Sequence, residues 1–286
     1  MKSLISNGSG NGERGRSSFL RWVGGKQLLV KDLLAFLPES VDERVYREPF
    51  VGAASMYFAL RPKRAVLSDL NEHLIECYRF IRDSHQLVAR YLRDHAAANS
   101  ETYYYKVREV YNRSQFSAAQ AARFIYLNRT CFNGVFRVNM SGDFNVPFGD
   151  KPNPAFPSTD KLAEIGKTLK TARLLVCDYA RGLQRASTGD FVYLDPPYPP
   201  LNGTSYFTHY TQARFGAEDQ ECVAQLVRDL DSRGCLVMMT NADTPIVRSL
   251  YRGFNLFELS VIRYVTCKNI RHRVGELVIT NYAPQN

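Results

Sequence analysis

Short apolar runs that resemble β-strands alternate with segments of helical periodicity in this sequence. The run "VYREPF" leads into a turn of small residues, and "AVLSD" leads into "LNEHLIECYRFIRD", whose apolar residues recur at helical spacing. Further strand-like runs follow late in the chain, as "ARLLVCDY", "DFVYLDPPY", "CLVMMTNAD" and "ELVITNY". This alternation predicts an α/β fold in which helices cover both faces of a parallel sheet.

Residues 85–160 have a different composition from the sheet-forming parts on either side. They contain the helical segments "YYYKVREVYNRSQ" and "AAQAARFIYLNRT", which are rich in Tyr, Arg and Asn. The following segment, "VFRVNMSGDFNVPF", consists of two short alternating runs around Ser141 and Gly142, a pattern that predicts a β-hairpin. We interpret 85–160 as a module inserted between two parts of one sheet domain, residues 18–84 and 161–286.

The charge of the chain favours a polyanionic partner. Among 286 residues, 37 are Lys or Arg and 28 are Asp or Glu, which gives a net charge of +9. No apolar run approaches the roughly 20 residues that span a bilayer, and the first residues contain no apolar signal core. Residues 1–17 lack periodicity and are rich in Ser, Gly, Asn and Arg, which predicts a flexible tail. We expect a cytoplasmic protein without a membrane segment.

Neither disulfides nor a metal site is expected from the cysteines and histidines. The six Cys are scattered without a C-x-x-C pair, and the five His show no ligand spacing. We therefore predict reduced thiols and no bound metal.

The run "FVYLDPPYPP" ends a predicted buried strand on Asp195. Ligands of parallel sheets bind beyond the carboxyl ends of the strands. Pro196 and Pro197 fix the backbone and remove competing N–H donors, so the carboxylate and the Pro196 carbonyl suit a substrate with two hydrogens on one nitrogen. Tyr198 would offer a face on which a base can stack. The plainer interpretation is a proline-rich turn that only terminates the strand.

Two upstream turns are candidates for binding a nucleoside. The stretch "EPFVGAAS" has the small residues that let a backbone approach a ligand closely, and Asp69 ends the next strand, where an acid reaches ribose hydroxyls in nucleoside-binding folds. In "RWVGGK", a Gly-Gly turn is followed by Lys26, which is compatible with binding a ligand carboxylate. Each turn alone could equally be an ordinary helix entry.

Five ordered motifs, "RWVGGK", "EPFVGAAS", "LSDLNEHLI", "LLVCDY" and "DPPY", resemble those of the Dam-type (D12 class, alpha group) DNA adenine-N6 methyltransferases. The segment "LNRTCFNGVFRVNMSGDFNVPFG" resembles the target-recognition region of that family, and the resemblance runs from about Phe19 to Tyr282. It implies a Rossmann-like S-adenosylmethionine-dependent methyltransferase sheet with an inserted helical and β-hairpin DNA-recognition domain. Residues 18–84 would then be the cofactor-binding part, 85–160 the target-recognition domain and 161–286 the part with DPPY.

The resemblance also implies roles for single residues. Trp22 and Lys26 would lie at the methionine end of S-adenosylmethionine, Phe50 and Gly52 would line the cofactor turn, and Asp178 would approach the amine of the cofactor adenine. The residues that match the family's cofactor and catalytic motifs are Trp22, Lys26, Phe50, Gly52, Asp69, Asp178, Asp195, Pro196, Pro197 and Tyr198. Because the sulfonium is already an activated methyl donor, direct transfer needs neither a metal nor a covalent enzyme intermediate.

Duplex DNA is the implied partner, and the target adenine must be flipped out of the stack at a cost of a few kcal/mol. An aromatic or apolar hairpin side chain would fill the space left by the base. Arg137 is predicted to contact a guanine, because guanidinium matches the two major-groove acceptors of that base. The residues predicted to contact DNA are Arg129, Asn133, Arg137, Asn139 and Pro147, with Arg108, Arg113 and Arg123 as further phosphate candidates.

Family members with this hairpin commonly recognise GATC, so GATC is the implied site. A basic residue often follows "FNVPFG" in GATC readers, whereas here Asp150 follows and Lys151 comes next. An acid at this place would repel phosphate.

Other functions fit parts of the pattern. Cytosine C5 methylation requires a thiol nucleophile, usually in a Pro-Cys pair, and no such pair occurs in this sequence. Cytosine N4 enzymes share the geometry but more often carry serine in place of Asp195. An RNA or protein amine methyltransferase and a DNA-binding regulator with a decayed site are the further alternatives. We expect a monomer in a bacterial or phage setting, associated with the nucleoid.

Overall fold

The computed structural model describes residues 19–150, 153–198, 215–264 and 271–284. The predicted tail, 1–17, and Lys151 lie outside these ranges. The described residues contain one seven-stranded sheet. Its strands are β1 (Tyr46–Glu48), β2 (Ala65–Asp69), β3 (Ala172–Val176), β4 (Phe191–Leu194), β5 (Leu236–Ala242), β6 (Asn255–Tyr264) and β7 (Arg271–Thr280).

The strand order is β3-β2-β1-β4-β5-β7-β6. The first five strands in this order are parallel to one another, and β7 runs antiparallel between β5 and β6. The sheet is thus assembled from both ends of the chain, and the α/β fold class predicted from the sequence is confirmed. Because the chain departs in opposite directions from β1 and β4, the boundary between these two strands is the place where such sheets bind ligands.

Helices cover both faces of the sheet. They are α1 (Val30–Leu33), α2 (Ser55–Leu60), α3 (Glu72–Ala97), α4 (Glu101–Arg113), α5 (Ala118–Thr130), α6 (Thr159–Leu169), α7 (Tyr179–Leu183), α8 (Ala217–Ser232) and α9 (Pro245–Leu250).

Strand β4 shows why two layers are needed. Its alternate residues Phe191 and Tyr193 pack into a core with α3 and α6, while Val192 and Leu194 pack into a second core with α8 and α9. All four side chains are at most 1% exposed. A strand with both faces buried is apolar at every position instead of alternating between apolar and polar residues. The sequence "FVYL" of β4 has this uniformly apolar pattern.

The predicted insertion begins inside α3, not in a linker. This helix continues from Glu72 to Ala97 and is broken at Ser84, whose φ of −148° and ψ of 36° are not helical. Residues on both sides of the break, such as Ile81 and Leu92, belong to one continuous core with Tyr104 and Ile125 of α4 and α5. The division into separate domains stays an interpretation, and the break in α3 at Ser84 lies next to the predicted boundary.

The predicted hairpin is a short antiparallel loop with isolated bridges in place of extended strands. Val138 pairs with Phe144, and Cys131 pairs with Phe148. Between them, the amide of Gly142 donates to the Asn139 carbonyl at 3.0 Å, and Gly142 has a φ of +85°. The turn therefore lies at the predicted position, where glycine tolerates the left-handed conformation.

Candidate active site

Acidic residues stand at the carboxyl ends of four neighbouring parallel strands. Glu48 ends β1 and Asp69 ends β2. Asp178 follows β3 as the N-cap of α7, and Asp195 directly follows β4. Since the carboxyl ends of parallel strands share one edge, the structure brings the predicted acids Asp69, Asp178 and Asp195 to a common rim.

One oxygen of Asp195 is fully engaged by the protein. Lys26 Nζ lies 2.6 Å from Oδ1, and the Thr240 hydroxyl donates to the same oxygen at 2.8 Å. Within the described residues, no group donates to Oδ2. Burial raises the pKa of Asp195, while the charge of Lys26 and its hydrogen bond oppose that rise. Asp195 therefore presents Oδ2 as an acceptor while its other oxygen is fixed.

The backbone after Asp195 is held by a pair of buried amides. Gln220 Nε2 donates to the Pro197 carbonyl at 2.9 Å, and Asn241 Nδ2 donates to Gln220 Oε1 at 2.9 Å. Both amide side chains are at most 1% exposed. In the described part of the chain, the carbonyl of Pro196 receives no hydrogen bond. The Pro-Pro turn is thus fixed through its second carbonyl, and its first carbonyl remains an acceptor.

Tyr198 is anchored at its hydroxyl, which donates to Glu276 Oε1 at 2.6 Å. Lys26 Nζ lies 4.6 Å from the centre of the Tyr198 ring and 3.6 Å from Glu276. Lys26 thus joins Asp195, Tyr198 and Glu276 in one buried cluster. From the sequence we expected this lysine at the methionine end of a cofactor, and we did not expect the contact with Asp195.

The glycine turn and Asp69 form a second structured part of the rim. The amide of Gly52 donates to Asp69 Oδ2 at 3.1 Å, and the amide of Asn71 donates to Oδ1 at 2.9 Å. Gly52 has a φ of +43°, and a Cβ there would lie 2.9 Å from Cδ1 of Trp22. Burial raises the pKa of Asp69, against these hydrogen bonds. The turn therefore requires glycine both for its backbone conformation and for its contact with Trp22.

Aromatic and apolar side chains lie beside these acids. Phe50 stacks on Tyr179 with ring centres 5.2 Å apart and planes 28° apart, next to Asp178. Leu70, directly after Asp69, is 56% exposed, and Val176, which pairs with Asp69 across β2 and β3, is 40% exposed. The arrangement offers flat apolar contacts for a ring and an acid for hydroxyl groups, which is the chemistry that a nucleoside needs.

The hairpin presents Arg137 at its surface. Arg137 Nε donates to Asn145 Oδ1 at 2.7 Å across the loop, so the guanidinium is oriented while it stays exposed. Asn139 is used internally, because its Oδ1 accepts from the amides of Ser141 and Asp143 and so builds the turn. Arg137 Nη2 also donates to the Asn145 carbonyl at 3.4 Å, and among the described residues no group accepts from Nη1.

Arg129 and Pro147, two more of the predicted DNA contacts, also have structural partners. Arg129 Nε donates to the Ala155 carbonyl at 2.6 Å, and the carbonyl of Pro147 accepts from the amide of Phe132 at 2.9 Å. Asn133 has a φ of 55° in the short 3-10 turn Phe132–Gly134. These contacts shape residues 127–149, the segment predicted to recognise DNA and called the recognition segment below, and the roles of these residues toward DNA stay predictions.

Arginines of the recognition helices also bond to the protein itself. Arg108 donates to the Val146 carbonyl at 3.1 Å. Arg123 donates to Gln120 on its own helix at 3.2 Å, and Arg113 pairs with Glu109 at 2.9 Å. Part of the positive charge thus stabilises the recognition segment.

Two large apolar side chains are exposed on the recognition segment. Phe132 is 49% exposed at the base of the hairpin, and Met140 is 95% exposed at its tip. An aromatic or apolar hairpin side chain was expected, but sequence alone did not show which one reaches solvent. Asp150, the departure from the GATC pattern, is also exposed, with a φ of +46°.

The fold and the rim together define an α/β protein whose neighbouring parallel strands end in acidic residues and whose chain forms a hairpin loop between β2 and β3. Residues 22–265 match the family model of the D12 class N6 adenine-specific DNA methyltransferases. The chain therefore belongs to this family, and both the predicted resemblance and the predicted enzyme class, an adenine-specific DNA methyltransferase, are confirmed.

Similar curated proteins span nearly the full length of the chain. A type II methyltransferase of Lactococcus lactis subsp. cremoris is 35% identical over 92% of this chain and 95% of its own length. A type II methyltransferase of Methanocaldococcus jannaschii is 37% identical over 92% of this chain and 98% of its own length. The DNA adenine methylase of Escherichia coli (strain K12) is 35% identical over 91% of this chain and 94% of its own length.

Two further observations concern metal ligands and membrane-spanning helices. Across the described residues, His, Cys, Asp and Glu side chains form no group of three that could hold a metal ion. Among the helices of those same ranges, none is both long and apolar enough to cross a membrane.

Proposed function

We propose that this protein transfers a methyl group from S-adenosylmethionine to the N6 amine of an adenine that is flipped out of duplex DNA. The observation that carries the proposal is the state of Asp195. Lys26 and Thr240 hold its Oδ1, and Oδ2 is left as an acceptor next to the unengaged carbonyl of Pro196. Two fixed acceptors of this kind match the two hydrogens of an exocyclic amine.

The rim makes a poor nucleophile reactive. The lone pair of an adenine amine is delocalised into the ring, so the amine must move toward tetrahedral geometry before it can attack. Asp195 Oδ2 and the Pro196 carbonyl each accept one hydrogen and favour that geometry, which stabilises the positive charge that develops in the transition state. When bound, S-adenosylmethionine supplies the methyl group on a sulfonium, so no metal is required to activate it.

The second part of the rim fits S-adenosylmethionine. Asp69 would bind the ribose hydroxyls, and its orientation is already fixed by the amides of Gly52 and Asn71. Phe50 would contact the cofactor adenine, with Asp178 near the amine of that ring. Trp22 and Lys26 would lie at the methionine end, so Lys26 would stand between the cofactor and Asp195.

The recognition segment would position the DNA. Tyr198 would stack on the flipped base, and Phe132 or Met140 would fill the space that it leaves. Arg137 would contact a guanine, and the other residues proposed to contact DNA are Arg129, Asn133, Asn139 and Pro147. The proposed site is GATC, supported by the resemblance of the hairpin segment to that of GATC readers in the family. Asp150 is expected to weaken phosphate binding beside that site.

The test is transfer of tritium from labelled S-adenosylmethionine to matched substrates. We expect label in duplex DNA that contains GATC, and little in the same duplex with the site permuted or with its adenines already methylated. RNA of the same sequence and bulk protein serve as the controls. Label only in RNA or protein would contradict the proposed function, and equal label in the permuted duplex would contradict GATC alone.

A further inference from the structure

Glu276 is a buried carboxylate at the rim that belongs to none of the motifs. It lies on β7, opposite Ala242 of β5, and 1% of it is exposed. Carboxylates are buried to this degree where specific partners compensate the loss of water. Two of its partners here are Tyr198, at 2.6 Å, and Lys26, at 3.6 Å. Both belong to the part of the rim that would receive the target base.

The bond to Glu276 fixes the plane of the Tyr198 ring. A tyrosine side chain has two rotatable angles, and an anchor at the hydroxyl removes the freedom that the ring would otherwise keep. Stacking depends on the relative orientation of the two planes. Tyr198 can therefore offer a preset surface for a base, and Glu276 supplies the anchor from a strand nearly eighty residues further along the chain, a separation of 78.

Glu276 also affects the charge next to the reacting amine. Lys26 Nζ lies 2.6 Å from Asp195 and 3.6 Å from Glu276, so the two carboxylates share one ammonium. Glu276 draws the ammonium toward the face of Tyr198, 4.6 Å from the ring centre. Sharing the cation leaves Asp195 a stronger acceptor than an exclusive ion pair would.

We propose that Glu276 is a positioning residue for methyl transfer, which acts through Tyr198 and Lys26 to set the stacking plane and the acceptor strength of the rim. The inference rests on the proposed function. It predicts that the loss of Glu276 impairs the methyl-transfer step more than the binding of the cofactor, whereas a role only in folding would not separate the two.

The test is a double-mutant cycle with Tyr198→Phe, which removes only the hydroxyl, and Glu276→Gln, which removes the charge and keeps the size. The readout is the single-turnover rate at the adenine that the wild type methylates, together with the affinity for S-adenosylmethionine. Tyr57→Phe and Glu164→Gln are the matched controls. Tyr57 donates to the Thr168 carbonyl at the same 2.6 Å, and Glu164 pairs with Arg61 at the surface.

We expect each single variant to lose about ten-fold in rate, with cofactor affinity within about three-fold of the wild type. The double variant should be no slower than the slower single variant, because Tyr198→Phe removes and Glu276→Gln weakens the same hydrogen bond. Wild-type rates in Tyr198→Phe, or losses that multiply in the double variant, would overturn the inference. If Glu276→Gln does not fold, Tyr198→Phe measured against Tyr57→Phe decides alone.

The outcomes also separate this inference from the proposed function. A wild type that methylates adenine while the cycle is additive would overturn the role of Glu276 alone. A wild type that methylates no adenine would overturn the proposed function, and the role of Glu276 with it.

Discussion

At the scale of single residues, the proposed reaction depends on keeping Asp195 an acceptor although its side chain is only 17% exposed. Burial favours the neutral carboxyl group, and a protonated Asp195 would lose the acceptor that the amine requires. Lys26 and Thr240 counteract this effect through the same oxygen. Removing either partner should therefore change the pH dependence of the reaction before it changes the fold.

We predict that Lys26→Gln and Thr240→Val each shift the pH dependence of methyl transfer. The folded pKa of Asp195 is already raised above its ordinary value, and transfer is lost as the pH falls through it. Both substitutions remove a group that lowers this pKa, so the acid limb of the rate profile should move to higher pH. Lys26 is the larger influence, so its variant should shift further. Single-turnover rates measured across pH at saturating cofactor give the position of this acid limb. The same position in Lys26→Gln and in the wild type would contradict the prediction.

The second prediction concerns Glu48, which is 3% exposed at the end of β1. Burial raises its pKa well above 4.5, so the folded state holds a proton that the unfolded chain releases more readily. This group therefore costs stability at neutral pH, and the cost disappears as the pH falls through the raised pKa. Glu48→Gln should raise the free energy of unfolding at pH 8, because a neutral amide of similar size avoids the cost of burying a charge.

The gain from Glu48→Gln should shrink as the pH approaches 5. Denaturant unfolding at the two pH values measures it, and the surface variant Glu164→Gln serves as the control. A loss of stability at pH 8 would show that Glu48 is held as a charged group.

At the scale of elements, the hairpin is proposed to determine which DNA sequence is methylated, and Arg137 is oriented by Asn145 on the opposite arm. We predict that Arg137→Ala loses about 1–3 kcal/mol of discrimination at one base pair, because a bidentate contact to guanine is worth that much. Competition between GATC and single-substituted duplexes measures it. Arg82→Ala, a surface arginine paired with Asp83, is the control. Unchanged discrimination would reassign Arg137.

Features of the site that depend only on neighbouring residues in the chain could be predicted from the sequence. Asp69 and Asp195 each follow an apolar run, so the sheet places them at the carboxyl edge whatever the rest of the chain does. The turn at Gly142 was likewise predicted from local residues.

Other parts of the site depend on contacts between distant segments, and for them the sequence gives only strand or helix character. Thr240 and Glu276 lie in runs that predict β5 and β7 and nothing more. Gln220 of α8 donates to the Pro197 carbonyl. Asn128, near the end of α5, accepts from the amide of Arg21 at 2.8 Å and donates to the carbonyl of Arg21 at 2.7 Å. Such pairs depend on how whole elements pack.

At the scale of the whole molecule, the segment that begins at Phe19 connects the proposed catalytic edge with the segment predicted to recognise DNA. Trp22 stacks on Phe136 of the recognition segment, with ring centres 6.2 Å apart, and also contacts Gly52. Lys26, a few residues later, reaches Asp195. The cofactor turn, the target rim and the recognition segment thus share one short stretch of chain.

Trp22 is the one tryptophan among the 286 residues, so its fluorescence reports this junction. We predict that S-adenosylmethionine changes the intensity or the wavelength of the emission with a saturable dependence. Gly52→Ala should weaken this binding at least ten-fold, because the added Cβ meets Trp22 at 2.9 Å. A fluorescence titration measures both effects. An unchanged emission at saturation would remove Trp22 from the proposed cofactor site.

Nucleoside analysis of DNA treated with wild type or Asp195→Ala tests whether Asp195 activates an adenine amine. The wild type should produce N6-methyladenine as the new nucleoside. Asp195→Ala should produce none, although it binds the duplex with nearly unchanged affinity. Methylcytosine from the wild type, or normal amounts of N6-methyladenine from the variant, would contradict the account.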